Sequence, residues 1–378
     1  MSKIVEVKPF VLGTGPSRNV TIVRVRTDDG FEGIGEGTIN YRVRAIVGAV
    51  NDFAMYLIGK DPTQIERHWQ ALYRNSFFRG GPIQMTALSA IEQALWDILG
   101  KMLNRPVWAL LGGAARDRIR VYTHVGGSTP EAAGERARAL VAEGHRALKF
   151  GVSGAIEPVL DLRAVRATVA TAQAIREAVG PDAALMFDAH AKLTPPVAMR
   201  LAGELAPFDL LFFEEPIPPE NVDALVAIAQ ASPVPIATGE RLYTRWGFRE
   251  VVEKQAAAVL QPDLGHAGGV LETKKIAALA ETYYASIAPH NPRGPGVTMA
   301  SLHIAACTPN FLIQEMVHDD VLRPDMLVEP LDVFEGYVGL PTAPGLGLHF
   351  DESLAERYPY NPVDSPHPST PDGAVADW

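Results

Sequence analysis

Six side chains capable of chemistry stand at nearly constant intervals through the middle of the sequence: Asp188, Glu214, Glu240, Asp263, His290 and Glu315, each 23 to 27 residues after the one before. Each ends or closely follows a short apolar run, as Phe213 precedes Glu214-Glu215-Pro216 and Ala184-Leu185-Met186-Phe187 precedes Asp188. Asp188, Glu214 and Glu240 are three hard oxygen donors without sulfur, the set that suits Mg²⁺ with positions left open for water or substrate. Without a cation, three converging carboxylates repel one another and their pKa values rise, so a metal is the economical reading. Asp263 followed by His290 is the pairing in which a carboxylate orients an imidazole and raises its basicity, the usual arrangement of a general base. His190, two residues after Asp188, shares its face by the strand period, and two histidines on different sides of a metal suggest one acid and one base.

The spacing identifies the elements that hold these groups. A strand, a helix and two loops take about 25 residues, and the intervening helices are legible as the apolar faces Ala224, Leu225, Ile228, Ala229 and Ile276, Leu279, Ala280. Parallel strands alternating with helices close into a (β/α) barrel whose C-terminal strand ends carry the chemistry, which turns one group per strand into a ring. Lys149, after Arg146-Ala147-Leu148, joins the ring from an earlier strand. The barrel is expected over 116–320, from Ile119-Arg120-Val121-Tyr122 to about Met316.

At 378 residues the chain exceeds a bare barrel of about 250, so a further unit is required. Residues 1–115 supply it: strands over Ile4–Leu12, Val20–Thr27 and Phe31–Glu36, then three helices, Arg42–Lys60 and two opened by Asp61-Pro62 and Pro82. Gly13–Asn19, rich in Gly, Pro and Ser, is expected to be a mobile loop. Residues 321–378 are turn-rich and expected to pack back on the first unit.

A net charge of −10 and a single cysteine, Cys307, argue against a nucleic-acid surface, an internal disulfide and a thiolate metal cluster. No apolar run approaches the ~20 residues of a membrane span, and Met1-Ser2-Lys3-Ile4-Val5-Glu6 lacks the apolar core of a signal peptide. A cytoplasmic protein with a small-molecule substrate, and no membrane or nucleic-acid partner, is the expectation.

Two long stretches carry a family resemblance. Ala87–Gly112, containing Ile91-Glu92-Gln93-Ala94-Leu95-Trp96-Asp97-Ile98 and Leu110-Leu111-Gly112, resembles a fingerprint of the mandelate racemase branch of the enolase superfamily. Leu185–Pro216, with Asp188-Ala189-His190 and Glu214-Glu215-Pro216, resembles a second, with Phe213 where an aliphatic residue is usual. The resemblance spans essentially the whole chain and implies a (β/α)7β TIM-type barrel under an α+β capping domain, with a homo-oligomer as the family expectation. Within the branch, Gly239-Glu240-Arg241, Gln261-Pro262-Asp263-Leu264-x-His266-Ala267-Gly268-Gly269, Ala288-Pro289-His290, Arg79-Gly80-Gly81-Pro82 and the final Asp377-Trp378 resemble the galactonate dehydratase type of acid-sugar dehydratase. The Lys-x-Lys motif of the racemases and cycloisomerases appears as Lys149-Phe150-Gly151, so their second lysine base is absent.

The resemblance implies that Mg²⁺ on Asp188, Glu214 and Glu240 holds a sugar-acid carboxylate, that His290 takes the C2 proton, and that His190 protonates the departing 3-hydroxyl. Lys149 and Glu315 are candidates to touch the same carboxylate, Glu315 as a hydrogen-bond donor when protonated. Arg79 and Arg241, with Lys192, Tyr243 and Arg293, are candidates for substrate hydroxyls; His266 and Glu215 read as supporting groups, and His124 and His145 receive no role. Two alternatives stand beside the dehydratase. An epimerase or racemase would use two bases and return the proton to C2, and a non-catalytic relative would keep the metal ring without turnover.

Overall fold

The computed structural model describes residues 2–16, 18–74, 77–152, 156, 161–292, 294–318, 320–370 and 372–377. Arg293 and Trp378, together with parts of the 13–19 and 75–80 segments, lie outside them.

The first unit is an antiparallel sheet of β1 (Ile4–Gly15), β2 (Arg18–Thr27) and β3 (Glu32–Glu36), backed by α1 (Val43–Leu57), α2 (Ile65–Arg74) and α3 (Pro82–Met102). β1 and β2 continue as a paired ribbon to Gly15↔Arg18, so most of the expected Gly13–Asn19 loop is strand. The C-terminal segment holds this ribbon in place: the Gly13 N–H donates to Tyr358 O at 2.9 Å and Asn19 Nδ2 to Asn361 O at 2.8 Å. α2 begins at Ile65 rather than at Asp61-Pro62, because the Asp61 side chain accepts from Thr63 N–H at 2.9 Å and forms a turn first.

α3 is buried on every side from Met85 to Ile98. Its approach to β3 depends on Gly33, Gly35 and Gly37, which the two-residue period places on one face. A Cβ at any of them would run into the carbonyl oxygen of Ala94, Ala90 or Thr86, successive turns of α3. The polar residues of α3 bind the two units together. Asp97 accepts from Ile34 N–H (2.9 Å) and Leu346 N–H (2.7 Å), and Gln93 Nε2 donates to Glu36 O (2.9 Å) and Leu264 O (3.0 Å). Glu92 accepts from Val270 N–H (2.7 Å) and Leu271 N–H (2.9 Å), the first turn of a barrel helix. Burial drives the Glu92 carboxyl up to about 7 against these donors.

After a short α4 (Val107–Leu110), parallel strands β4 (Arg118–His124), β5 (Ala147–Gly151), β6 (Ala184–Asp188), β7 (Leu210–Glu214), β8 (Ile236–Thr238), β9 (Val259–Leu260) and β10 (Ser286–Ile287) lie in sequence order. The eighth strand, β11 (Gln314–Glu315), pairs with β4, and a parallel bridge from Phe311 to Ile287 closes the ring. Seven helices alternate with the strands: α5 (Pro130–Ala142), α6 (Leu162–Val179), α7 (Pro195–Leu205), α8 (Val222–Ala231), α9 (Thr244–Glu253), α10 (Gly269–Glu281) and α11 (Pro295–Cys307). This is a (β/α)7β barrel.

One side chain from each strand fills the barrel interior: Tyr122, Ala147, Met186, Phe212, Ala237, Val259, Ala288 and Ile313. The alternate residues, among them Leu148, Phe187, Phe213 and Ile287, face outward into the layer beneath the helices. The C-terminal segment carries α12 (Arg323–Met326), β12 (Tyr337–Gly339) antiparallel to β4, and α13 (Ser353–Arg357). It returns to the capping sheet, where Glu352 receives Lys8 at 3.0 Å and the buried Arg24. Among the described residues no helix is long and apolar enough to cross a membrane.

Candidate active site

Two residues beyond the inward-facing Tyr122, Ala147, Met186, Phe212, Ala288 and Ile313 come His124, Lys149, Asp188, Glu214, His290 and Glu315. The strand period points His124, Lys149, Asp188, Glu214 and Glu315 inward at the C-terminal mouth, above the apolar plug, and His290 joins them from just beyond β10. Glu240 and Asp263 reach the same region from the loops after β8 and β9.

Asp188, Glu214 and Glu240 each contribute a carboxylate oxygen to a group whose members lie within 4.8 Å of one another. Asp188 and Glu214 are buried. Lys149 Nζ sits among the acids, 2.8 Å from Glu214 Oε1, 3.3 Å from Asp188 Oδ2 and 2.8 Å from Glu315 Oε1. Burial opposes its charge, but Glu214 and Glu315 outweigh it and hold the ammonium well above its usual pKa. Lys149 cannot neutralise every acid around it. Burial, followed by the nearby Asp188, pushes the Glu214 carboxyl well above the carboxylate range. An all-oxygen trio short of positive charge is what a hard divalent cation relieves, so the residues present fit Mg²⁺.

Asp263 Oδ2 lies 2.8 Å from His290 Nδ1, while Oδ1 accepts from the Gly265 N–H at 2.7 Å. With Nδ1 so engaged, Nε2 faces Glu240 Oε2 at 3.1 Å. Burial works to lower the His290 pKa, yet Glu240, Glu315 and Asp263 together raise it to about 10. A cation on Glu240 weakens the first of these influences. His266 stands 3.6 Å from Asp263 Oδ2 through Nε2, with Nδ1 2.8 Å from the Thr86 hydroxyl.

His190 reaches the site by a different route from the one its spacing suggests. β6 ends at Asp188, and His190 and Ala191 have left-handed backbones (φ 51° and 56°), so His190 is not on the strand face. The turn is held by the His190 N–H donating to Asp188 Oδ1 at 2.7 Å, and it brings Nε2 back to 3.3 Å from Asp188 Oδ2. A Cβ on Gly151 would lie 3.5 Å from the His190 ring, in ordinary contact, so this strand end neighbours the imidazole. β6 and β10 are four places apart in an eight-stranded ring, which sets His190 and His290 on opposite sides of the mouth.

Glu315 is placed among donors. Its Oε2 accepts from the Asn291 N–H at 2.5 Å, and its Oε1 faces Lys149 and His124 Nε2. Burial raises its pKa, but Lys149, His290 and His124 reverse the effect and hold the carboxyl well below the usual range, so it stands as an ionised acceptor. His124, given no role from sequence, is thus part of the ring. Its signal was available, since it ends the first barrel strand two residues after an inward-facing side chain. Glu215 turns away to accept from the Gly239 N–H at 2.9 Å and from the Thr238 hydroxyl, and burial lifts it to about 7. Arg79 is exposed, and Arg241 is half-exposed with Glu220 3.9 Å away, so neither touches the ring. Burial lowers the Lys192 ammonium, and Tyr243 packs on Trp69, Met85 and Leu88.

Comparison with known proteins agrees with this architecture. Residues 2–112 match the mandelate racemase / muconate lactonizing enzyme N-terminal domain, and 132–354 match the enolase C-terminal domain-like family. A Mesorhizobium loti protein provisionally named a dehydratase is 37% identical, with a TM-score of 0.88 over 95% of this chain and 99% of its own. A Salmonella enterica serovar Typhimurium protein, also provisionally named a dehydratase, is 34% identical, with a TM-score of 0.89 over 95% and 98%. A mandelate racemase/muconate lactonizing enzyme from Jannaschia sp. CCS1 is 36% identical, with a TM-score of 0.89 over 95% and 98%. With both domain families matched in order and the carboxylate ring at the strand ends where the barrel requires it, the chain belongs to the mandelate racemase/muconate lactonizing enzyme family of the enolase superfamily.

Proposed function

We propose that the protein is a Mg²⁺-dependent dehydratase of a sugar acid, an aldonate of the galactonate or gluconate kind. The observation that carries this reading is the pair of imidazoles on opposite sides of the mouth, one backed by Asp263 and the other folded over Asp188. The provisional names of the Mesorhizobium and Salmonella relatives point the same way. A divalent cation held by Asp188, Glu214 and Glu240 supplies positive charge to the substrate carboxylate, onto which negative charge moves when C2 loses its proton.

The chain's own residues do the rest. His290 Nε2 takes the C2 proton, and Asp263 on Nδ1 holds the ring in the tautomer that can accept it. His190, exposed enough to meet substrate, gives a proton to the 3-hydroxyl so that it leaves as water. The net change is loss of one water, and the enol left behind tautomerises to a 2-keto-3-deoxy acid. Lys149 balances the buried acids beside the substrate carboxylate. Glu315 orders the segment after His290 through the Asn291 N–H. Arg79 and Arg241, exposed at the capping side, are proposed contacts for substrate hydroxyls that form when substrate binds.

The test is incubation with a panel of acid sugars and Mg²⁺, followed by a carbonyl reagent. Keto acid from one aldonate supports dehydration. Scrambled C2 stereochemistry without keto acid would establish epimerisation in its place, and no conversion of any member would contradict catalysis of this class.

A further inference from the structure

A second group of metal-ligating side chains lies away from the active site. Glu143 caps the C-terminal end of α5, His145 lies in the loop that leads into β5, and His318 follows β11 where the chain leaves the barrel. We propose that Glu143, His145 and His318 bind a second metal ion, a borderline transition-metal dication such as Zn²⁺, at the seam between the barrel and the C-terminal segment.

The three side chains converge, with the His318 ring between the other two. His145 Nε2 is 3.4 Å from His318 Nδ1, and His318 Nε2 is 3.3 Å from Glu143 Oε2. One nitrogen of each imidazole and one carboxylate oxygen lie within 4.8 Å of one another. Zn–N bonds of about 2.0–2.1 Å place tetrahedral donors about 3.3 Å apart, so binding draws the three groups inward and commits one nitrogen of His318 to the ion. Glu143 and His318 are the more exposed of the three, with side chains 42% and 33% exposed.

His145 provides the fixed point. It is 3% exposed, its backbone N–H donates to Leu140 O at 3.0 Å, and Nε2 is the ring nitrogen that faces His318.

The surrounding charges allow a cation. Arg136 Nη1 sits 3.6 Å from Glu143 Oε1, the other oxygen of that carboxylate, and leaves Oε2 toward His318. Arg323, which also acts electrostatically on His145, is directed to Val317 O at 2.6 Å. Two imidazoles and one carboxylate favour Zn²⁺, Ni²⁺ or Cu²⁺ over Mg²⁺, whereas the all-oxygen active-site trio has the opposite preference. The two sites therefore separate by metal type.

The seam is already tied by β12 on β4 and by the Gly336 N–H donating to Gly144 O at 2.8 Å. A metal across α5, β5 and the chain after β11 would add a further tie between the C-terminal segment and the barrel.

The experiment titrates metal-stripped full-length protein with chelator-buffered Zn²⁺ in saturating Mg²⁺, which fills the active site, and reads bound zinc and melting temperature. The expected result is one zinc per chain and a zinc-dependent rise in melting temperature. His318→Asn and His145→Asn should each weaken binding by roughly 100-fold, and Glu143→Gln by roughly 10-fold. His318→Asn is the decisive variant because its side chain is partly exposed, so its zinc-free melting temperature should match that of the native protein. Native protein that binds no zinc beyond what Mg²⁺ displaces would overturn the proposal, as would unchanged zinc affinity in His318→Asn.

Discussion

Asp263 Oδ2 receives His290 Nδ1 at 2.8 Å, and this contact decides which nitrogen of His290 faces the carboxylate trio. An asparagine at 263 can turn either its oxygen or its amide nitrogen to the ring, so it no longer enforces one tautomer. Asp263→Asn should lower kcat by about 10- to 100-fold with little change in KM, as when an orienting partner is lost. A variant with native kcat would show that His290 does not depend on Asp263.

The capping domain also positions the base. Glu36, buried at the end of β3, accepts from the N–H groups of Gly294 (2.9 Å), Gly296 (2.9 Å) and Val297 (3.1 Å), so it caps α11 just after the His290 loop. Glu36→Gln places an amide against those donors. It should cost about 1–3 kcal/mol of stability by denaturant unfolding and lower kcat as well. Unchanged stability would mean that the cap is dispensable.

The carboxylate cluster was readable because a barrel repeats one strand and one helix, so Asp188, Glu214 and Glu240 recur at constant spacing and meet at the strand ends. The contacts between units were not. Glu92 and Asp97 lie in an apolar helical pattern in which acids read as solvent-facing, and only the docking of α3 on α10 and on the segment at Leu346 shows that they serve backbone N–H groups. Glu36 is hidden for the same reason, since its partners are more than 250 residues away. The His190 turn was beyond a period-two argument, because left-handed backbone at two non-glycine residues has no signature in hydrophobic pattern. His124 was missed for a simpler reason: the first barrel strand was read only as far as Tyr122, whereas it runs to His124.

His303 gives a stability prediction with a definite sign. It is fully buried in α11, its Nδ1 accepts from the Trp108 N–H at 3.2 Å, and burial lowers its pKa to about 3. The unfolded chain, with a histidine pKa near 6.5, takes up the proton more readily. Its contribution is therefore complete above about pH 6.5 and is lost as pH falls toward 3. Unfolding free energies of the native protein and His303→Gln, measured from pH 7 to pH 5, should converge by about 1.4 kcal/mol per pH unit below pH 6. Parallel curves would mean that His303 titrates normally in the fold.

Cation binding has a readout independent of turnover. Mg²⁺ should raise the melting temperature of the native protein, since a ligand bound only by the folded state stabilises it by mass action. Glu214→Gln removes one donor of the trio and should shift the Mg²⁺ dependence to much higher concentration. Chelation should abolish turnover and Mg²⁺ should restore it. Full activity after rigorous metal removal would contradict the assignment of Asp188, Glu214 and Glu240.

The central claim is that two imidazoles divide the work, His290 taking the C2 proton and His190 assisting departure of the 3-hydroxyl. The direct measurement follows deuterium at C2 by NMR in D₂O, together with keto-acid yield, for His290→Asn and His190→Asn. His290→Asn should show neither exchange nor product. His190→Asn keeps Asp263, His290 and the carboxylate trio, so it should exchange C2 while losing keto-acid formation by about 10²- to 10⁴-fold. Native dehydration by His190→Asn, or normal C2 exchange by His290→Asn, would contradict the division of roles.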